Sequence, residues 1–272
     1  MIVINDFKGF ASLKESSVTI GNFDGVHLGH RALILELKNV SKLQKTPSVV
    51  VTFKEHPRQI LFPESTVKLI NTTNEKMEMM KNLGVDYFIK LSFSEVRDIS
   101  ADDFLQTILL SQLGMKNIIV GDDFNFGKDR RGNIKHLELV KDQYGFTVTE
   151  FLSISKGFEK ISSSKIRRLI LEGNIEKANS ELGYEYFLTG KVIHFDKNIL
   201  SLEVDTSKLI PKLNKLYEVN IDNSNNKLPT TLQIKNAVEK EGYTVITLEF
   251  TNPPKGFDEY LKVSFVGRNK NS

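Results

Sequence analysis

Two histidines three residues apart, His27 and His30, close the stretch GNFDGVHLGH at residues 21–30, in which Gly21, Gly25 and Gly29 recur at every fourth position. Glycine lets an anion approach the backbone closely, and imidazoles donate hydrogen bonds to phosphate oxygens. At a helix start this spacing brings both rings to one side. A helix start also presents unpaired N–H groups and the positive end of its dipole. The chemistry suggested is phosphate binding, in an unusual form. The Gly-x-Gly-x-x-Gly of dinucleotide folds and the Gly-x-x-x-x-Gly-Lys-Ser/Thr of phosphate-binding loops are both absent. The nearest approach to the second, Gly121 to Lys128, has five residues between its glycines and Asp129 where Ser or Thr belongs. Taken alone, a His-x-x-His pair also fits a turn residue followed by a surface helical one. As a metal site it lacks cysteine and a further ligand at suitable spacing.

The elements that must position these residues follow from the pattern of apolar runs. Residues 17–20, 48–53, 86–91, 117–120 and 146–151 are near-continuous β-branched or apolar runs of strand length, as expected of strands covered on both faces. Between them the text is helical. Leu33, Leu37 and Val40 make one stripe after His30; Ser100 with Asp103 predicts a cap for a helix through Leu113, closed by Gly114; Asn74 and Gly84 bracket another. Alternating strands and helices imply an α/β fold with a doubly wound parallel sheet, whose ligands sit beyond the carboxyl ends of the strands. After two short helices, Ser163 to Glu172 and Asn174 to Leu182, the texture changes. From residue 186 short strands follow one another with turn material between them, and NAVEKEG (236–242) alone is faintly helical, which predicts a small antiparallel β-barrel. The expected domains are residues 1–185 and 186–272.

Composition narrows the class. The 272 residues carry 37 Lys+Arg against 34 Asp+Glu, a net +3 that gives no support for a nucleic-acid or membrane surface and suits a small anionic ligand. There is no cysteine, which removes disulfides and thiolate chemistry. No run of 18 apolar residues occurs and the N-terminal stretch is broken by Asn5 and Asp6, so a soluble, cytoplasmic protein is expected. Oligomeric state is not legible.

GNFDGVHLGH resembles the nucleotide-binding signature of the prokaryotic FAD synthetases, the adenylyltransferase half of bifunctional riboflavin kinase/FMN adenylyltransferases in the HxGH nucleotidyltransferase superfamily. VVVTFKEHPRQIL (49–61), VGDDFNFGKDRRGN (120–133) and ISSSKIRRLILEGNIEKANSELG (161–183) resemble the family's further blocks in the same order. The likeness implies a Rossmann-like nucleotidyltransferase domain that transfers AMP from ATP to FMN. It implies that His27 and His30 contact the triphosphate beside Asn22 and the amides around Gly21, Gly25 and Gly29, with Phe23 and Asp24 fixed between the glycines. Ser162, Ser163 and Ser164 would offer hydroxyls and amides at a second helix start, and Arg167 and Lys160 fixed charge. Asp123 would lie near ATP or the flavin phosphate, and His56 and Pro57 would line the flavin. Phe124 and Phe126 fit either a flavin wall or ordinary core packing. Mg²⁺ is expected on the ATP phosphates, with no protein ligand assigned.

The sequence departs from the family in places. Glu55 stands where a proline is common, Ser164 for a threonine, and Lys160 for an arginine. The riboflavin kinase's glycine-containing loop and Phe-Pro-Thr-Ala-Asn motif are missing, and no glycine occurs between Gly190 and Gly242. The place of that kinase's catalytic glutamate falls at Thr244, with Glu249 nearby. The expectation is a monofunctional FMN adenylyltransferase with a degenerate kinase-like barrel. The alternatives are a bifunctional enzyme, a non-catalytic flavin or nucleotide binder with a regulatory role, and transfer to another phosphate acceptor.

Overall fold

The computed structural model describes residues 1–7, 10–62, 64, 67–152, 155–156, 159–223, 226–254 and 256–268. Its contacts divide the chain into two compact units, Met1–Val67 with Thr73–Lys160, and Lys68–Thr72 with Ile161–Ser272.

The first unit begins with β1 (Ile2–Ile4), β2 (Ser16–Ile20), α1 (Leu28–Gln44), β3 (Ser48–Phe53), α2 (Pro57–Leu61), α3 (Thr73–Asn82) and β4 (Tyr87–Leu91). It continues with α4 (Phe93–Val96), α5 (Ala101–Asp103), β5 (Met115–Gly121), β6 (Asn125–Phe126), β7 (Gly132–Asn133), α6 (Ile134–Tyr144) and β8 (Thr147–Phe151). Two short strands, β9 (Ser155–Lys156) and β10 (Glu159–Lys160), pair antiparallel at its end. Six strands form one parallel sheet in the order β1-β4-β3-β2-β5-β8. Successive side chains point to opposite faces, and both faces are apolar. Val49, Val51, Ile89, Ile118 and Val120 join one core with Leu105, Leu109 and Leu137. Val50, Phe88 and Ile119 join the other with Ile34, Leu37 and Met80. Helices α1 and α3 therefore cover one face, and the helical segment before β5 together with α6 covers the other.

The helix ends follow local chemistry. Ser100 accepts from Asp103 N, as a cap should, and Gly84, Gly114, Gly145, Gly173 and Gly183 take positive φ. The helix expected from Ser100 to Leu113 is present, but after α5 it continues as a π-helix over Phe104–Gln112, with Leu113 N bonded to Ile108 O. Wider winding suits apolar residues spaced by five and then four, Phe104, Leu109 and Leu113, all of which are buried.

The second unit contains α7 (Ser163–Leu171), α8 (Ile175–Leu182) and the strands β11 (Tyr186–Asp196), β12 (Ile199–Asp205), β13 (Leu216–Asn223), β14 (Asn226–Glu239), β15 (Tyr243–Phe250) and β16 (Tyr260–Arg268). These six strands close an antiparallel barrel in the order β11-β12-β15-β14-β13-β16. Its core includes Leu188, Leu202, Ile221, Ile234, Ile246, Leu248 and Val263, each fully buried. The two short helices group with this barrel, so the break in contacts falls after Lys160, ahead of the domain boundary expected near 185. Residues Lys68–Thr72 also belong here, since Leu69 N bonds to Ser207 O at 2.7 Å and Leu209 N to Leu69 O at 2.8 Å. The faintly helical NAVEKEG is a correction. Its first four residues lie in β14, where Ala237 opposes Ile246 and Val238 opposes Val245. So short a segment cannot meet the cost of helix nucleation against a paired neighbour.

Candidate active site

In the parallel sheet β2 lies between β3 and β5, and the connections on its two sides run over opposite faces. The carboxyl ends of β2 and β5 thus flank the switch point where such sheets open a crevice. Gly21 follows β2, Asp122 and Asp123 follow β5, and residues 54–57 leave β3 beside them.

The turn from β2 into α1 is strained. Phe23 (φ 48°), Gly25 (φ 88°) and Val26 (φ 33°) all lie in the left-handed region, which a β-branched residue such as Val26 rarely enters. Each such non-glycine residue costs about 1–3 kcal/mol and needs its surroundings to hold it. The surroundings are visible. Phe23 is buried under the turn, and a Cβ on Gly21 would sit 3.0 Å from its ring. Phe23 also meets His30 edge-on at 5.3 Å, so it shapes the site from beneath. Asp24 is buried too, while Asn22 is exposed.

His27 is the N-cap of α1, its Nδ1 accepting from His30 N at 3.3 Å. With Nδ1 accepting, the proton of a neutral ring belongs on Nε2, which is left as a donor. The two imidazoles stack at 3.6 Å between centroids, 15° from parallel. This close stacking explains Gly29, where a Cβ would meet His27 Cε1 at 3.2 Å. Burial pushes the His27 imidazole down to about 4, against the opposing pull of Asp24. Burial, with His27 and Lys76 as neighbours, holds His30 well below the ordinary histidine value. At neutral pH the pair offers two neutral rings at a helix N-terminus. His30 Nδ1 is buried and makes no hydrogen bond among the described residues.

Sequence reasoning missed Lys76. It reaches from α3, buried at 7% exposure, and donates to Asn22 O at 2.6 Å; Thr52 Oγ1 donates to the same carbonyl at 3.4 Å. Burial lowers the Lys76 ammonium to about 8, with Asp24 opposing the shift. The available signal was a lysine at i−4 from buried Met80, on a stripe that otherwise takes apolar residues.

On the loop after β3, His56 caps α2 by accepting from Arg58 N at 3.2 Å, and Pro57 takes the first helical position. Glu55, the departure from the family's proline, has a role here. Its Oε2 accepts from Phe93 N at 2.9 Å, filling the first-turn cap that the Ser92 side chain leaves unmade, while Phe53 meets Phe93 edge-on at 5.3 Å.

Beyond β5, Lys160 Nζ lies 2.9 Å from Asp122 and 3.4 Å from Asp123. Desolvation would lower Lys160, but the hydrogen bond to Asp122 and the two carboxylate charges outweigh it and hold its ammonium above the usual value. Phe124 stacks on Phe126 at 5.4 Å, and Phe126 is buried in the core against Phe104. Phe126 thus serves packing, and Phe124 is the ring left half-buried. Gly132 admits Phe126, whose ring would lie 2.6 Å from a Cβ there.

The remaining expected residues belong to the second unit. Ser162 caps α7, accepting from Lys165 N at 3.3 Å, with Ser163 and Ser164 in the first turn. Arg167 Nε donates to Lys68 O at 2.9 Å, and Lys165 pairs with buried Glu181 at 2.6 Å. The structure therefore brings His27, His30, Asn22, Asp24, His56, Asp123 and Lys160 onto one sheet edge in the first unit, and Ser162, Ser163, Ser164 and Arg167 onto one helix start in the second. In β15 of the barrel the burial alternates, placing Thr244 inward at 4% exposure. Glu249 falls on the other face, paired with Lys235 at 3.0 Å.

A parallel sheet with a strained glycine turn and stacked histidines at its switch point, followed by a closed antiparallel barrel, defines an α/β nucleotide-handling enzyme of the nucleotidyltransferase kind. Residues 10–165 match the model of the FAD synthetase family. A bifunctional riboflavin kinase/FMN adenylyltransferase of Buchnera aphidicola subsp. Schizaphis graminum is 36% identical over 225 residues, covering 79% of this chain and 72% of that one. The enzyme of the same name from Escherichia coli K12 is 33% identical over 66% of this chain and 58% of its own. A crystal structure described as a macrolide-efflux protein of Streptococcus pneumoniae superposes with a TM-score of 0.84 at 25% identity, over 98% of this chain and 90% of that chain. The efflux description is that protein's own. Among the described residues here, no helix is long and apolar enough to cross a membrane. The chain belongs to the FAD synthetase family and is an adenylyltransferase enzyme.

Proposed function

We propose that this enzyme transfers AMP from ATP to FMN, giving FAD and pyrophosphate, without phosphorylating riboflavin. In that reaction an FMN phosphate oxygen attacks the α-phosphorus in line, a bond forms there as the bond to pyrophosphate breaks, and no covalent enzyme nucleophile is required. The protein's task is to position two anions and stabilise charge on the phosphoryl oxygens. The observation that carries the reading is the stacked imidazole pair at the start of α1, with His27 Nε2–H free of the capping bond that occupies Nδ1. Neutral donors there, with the amides of the turn, bind phosphate by hydrogen bonds that need no proton uptake. Ser162, Ser163, Ser164 and Arg167 are proposed as a second phosphate-contacting set. His56, Pro57 and Phe124 are proposed for the flavin side, and Asp123 and Lys160 for the nucleotide side.

Mg²⁺ is proposed as the cation of ATP. No group of three or more His, Cys, Asp or Glu stands together among the described residues, which suits an ion held chiefly by nucleotide phosphates and water. When bound, it neutralises phosphate charge. The proposed setting is the cytoplasm, with small-molecule substrates.

The bifunctional reading is favoured by the relatives' names and by the closed barrel. Against it stand the inward Thr244 in the place of the kinase's glutamate and the absence of glycine between Gly190 and Gly242. The test is a chromatographic product assay with ATP, Mg²⁺ and either FMN or riboflavin, beside His30→Ala. FAD from FMN, nothing from riboflavin and loss of product in the variant support the proposal. FMN formed from riboflavin overturns its second half, and no product from either moves the weight to a binder or another acceptor.

A further inference from the structure

The turn that carries the histidines is held by a lysine from another element. Lys76 Nζ bonds to Asn22 O at 2.6 Å, and Asn22 immediately precedes Phe23, the first residue at positive φ. An ammonium carries three protons, and one of them is used in that bond. The charges facing it are those of buried Asp24, on the turn, and of His30, on α1, when that ring is protonated. With both imidazoles neutral, the positive charge that this buried cluster can offer beneath a polyanion site is that of Lys76, on which the Asp24 carboxylate acts against the effect of burial.

We propose that Lys76 is a positioning residue of the ATP site: its ammonium pins the strained turn through the Asn22 carbonyl and balances Asp24 beneath the bound phosphates. The proposal rests on the reading of this site as one for ATP. Loss of the charge removes a brace and turns the local potential against the ligand, while the barrel and the loop after β3 are untouched.

The test measures ATP and FMN affinity by calorimetry on the full chain, as wild type, Lys76→Met and Lys76→Arg, with melting temperature and FAD formation alongside. Lys76→Met is expected to weaken ATP about 10- to 100-fold, as for loss of one charge-assisted hydrogen bond. FMN affinity should stay within about twofold, and Lys76→Arg should restore most of the loss because its charge is permanent. The wild type gives a second readout that needs no variant. As pH rises past about 8, ATP affinity should fall while resistance to unfolding rises, because the unfolded lysine keeps its proton to about 10.5. Lys76→Arg should hold its ATP affinity across that range.

Unchanged ATP affinity in Lys76→Met overturns the proposal, as does a loss shared equally by ATP, FMN and melting temperature. If Lys76→Met does not fold, an ATP affinity in the wild type that is flat from pH 7.5 to 9.5 overturns it. Wild type that binds ATP in this lysine-dependent way yet makes no FAD would sink the proposed acceptor and leave Lys76's role standing.

Discussion

Acidification should destabilise the first unit of this protein through its imidazole pair. His27 titrates near 4 when folded against 6.5 in an unfolded chain, because the buried ring resists charge. The sign follows: the folded state binds fewer protons, so the stabilisation is complete above pH 6.5 and is lost as pH falls from 6.5 towards 4. At about 1.4 kcal/mol per unit, the full loss from His27 is about 3 kcal/mol, of which about 2 kcal/mol is gone by pH 5. His30 is shifted in the same direction and adds to it. Such a loss is large beside the about 5–15 kcal/mol of an ordinary domain. The assay is hydrogen exchange of peptides covering residues 21–44 at pH 7.5, 6 and 5, which reads the first unit without assuming that both units unfold together. The control is the double variant His27→Asn, His30→Gln, since asparagine keeps the cap. Wild type should lose protection between pH 6.5 and 5, above the range where most carboxylates titrate, and the double variant should not. An equal loss in both would refute the assignment of the acid sensitivity to these rings.

Gly29→Ala should separate stability from activity. Alanine favours the first turn of α1 by up to about 1 kcal/mol, yet its Cβ at 3.2 Å from His27 Cε1 displaces the stack, so melting should hold or rise while FAD formation falls about tenfold. Glu55→Ala removes the acceptor for Phe93 N and should lower unfolding free energy by about 1 kcal/mol; steady-state kinetics should show a raised KM for FMN with that for ATP unchanged. Gly132→Ala drives a methyl to within 2.6 Å of the buried Phe126 ring and should destabilise the first unit by about 1–3 kcal/mol in urea titrations.

How far the sequence carried depended on whether a feature was local. The parallel sheet was legible because residues 48–53 and 117–120 are near-continuous apolar or β-branched runs, a pattern that burial on both faces imposes. Ser162 and Ser100 announced their helix starts, since a cap is made within three residues of itself. β1 was not legible: it is three residues long at a sheet edge, with Ile2 and Val3 exposed, and parallel pairing with β4 is what makes it a strand. Helix α6 falls in the text expected to be helical but was given no bounds, although Asn133 caps it and Gly145 closes it, because Leu137 is its one fully buried side chain and its stripe is weak. Lys76 was missed for a different reason. Residue type places lysine at the surface, and only the turn lying over α3, distant in sequence, reveals what its charge opposes.

The barrel of the second unit is fixed by strand register and packing. Strand β15 is held in register on both sides, Thr244 opposing Val204 on β12 and Glu239 on β14. Side chains along a strand alternate faces, so Glu249, an odd number of residues from Thr244, cannot take an inward place without a slip that would turn Ile246, Leu248 and Phe250 out of the core. Those three are essentially buried, and exposing them would cost about 1.5–3 kcal/mol each. The inward positions of this strand are Thr244, Ile246, Leu248 and Phe250, and none of them carries a carboxylate. Packing asks only that the inward positions be filled, and a small β-branched residue fills the one at 244. The same register that keeps the barrel closed keeps Glu249 on the outer face with Lys235.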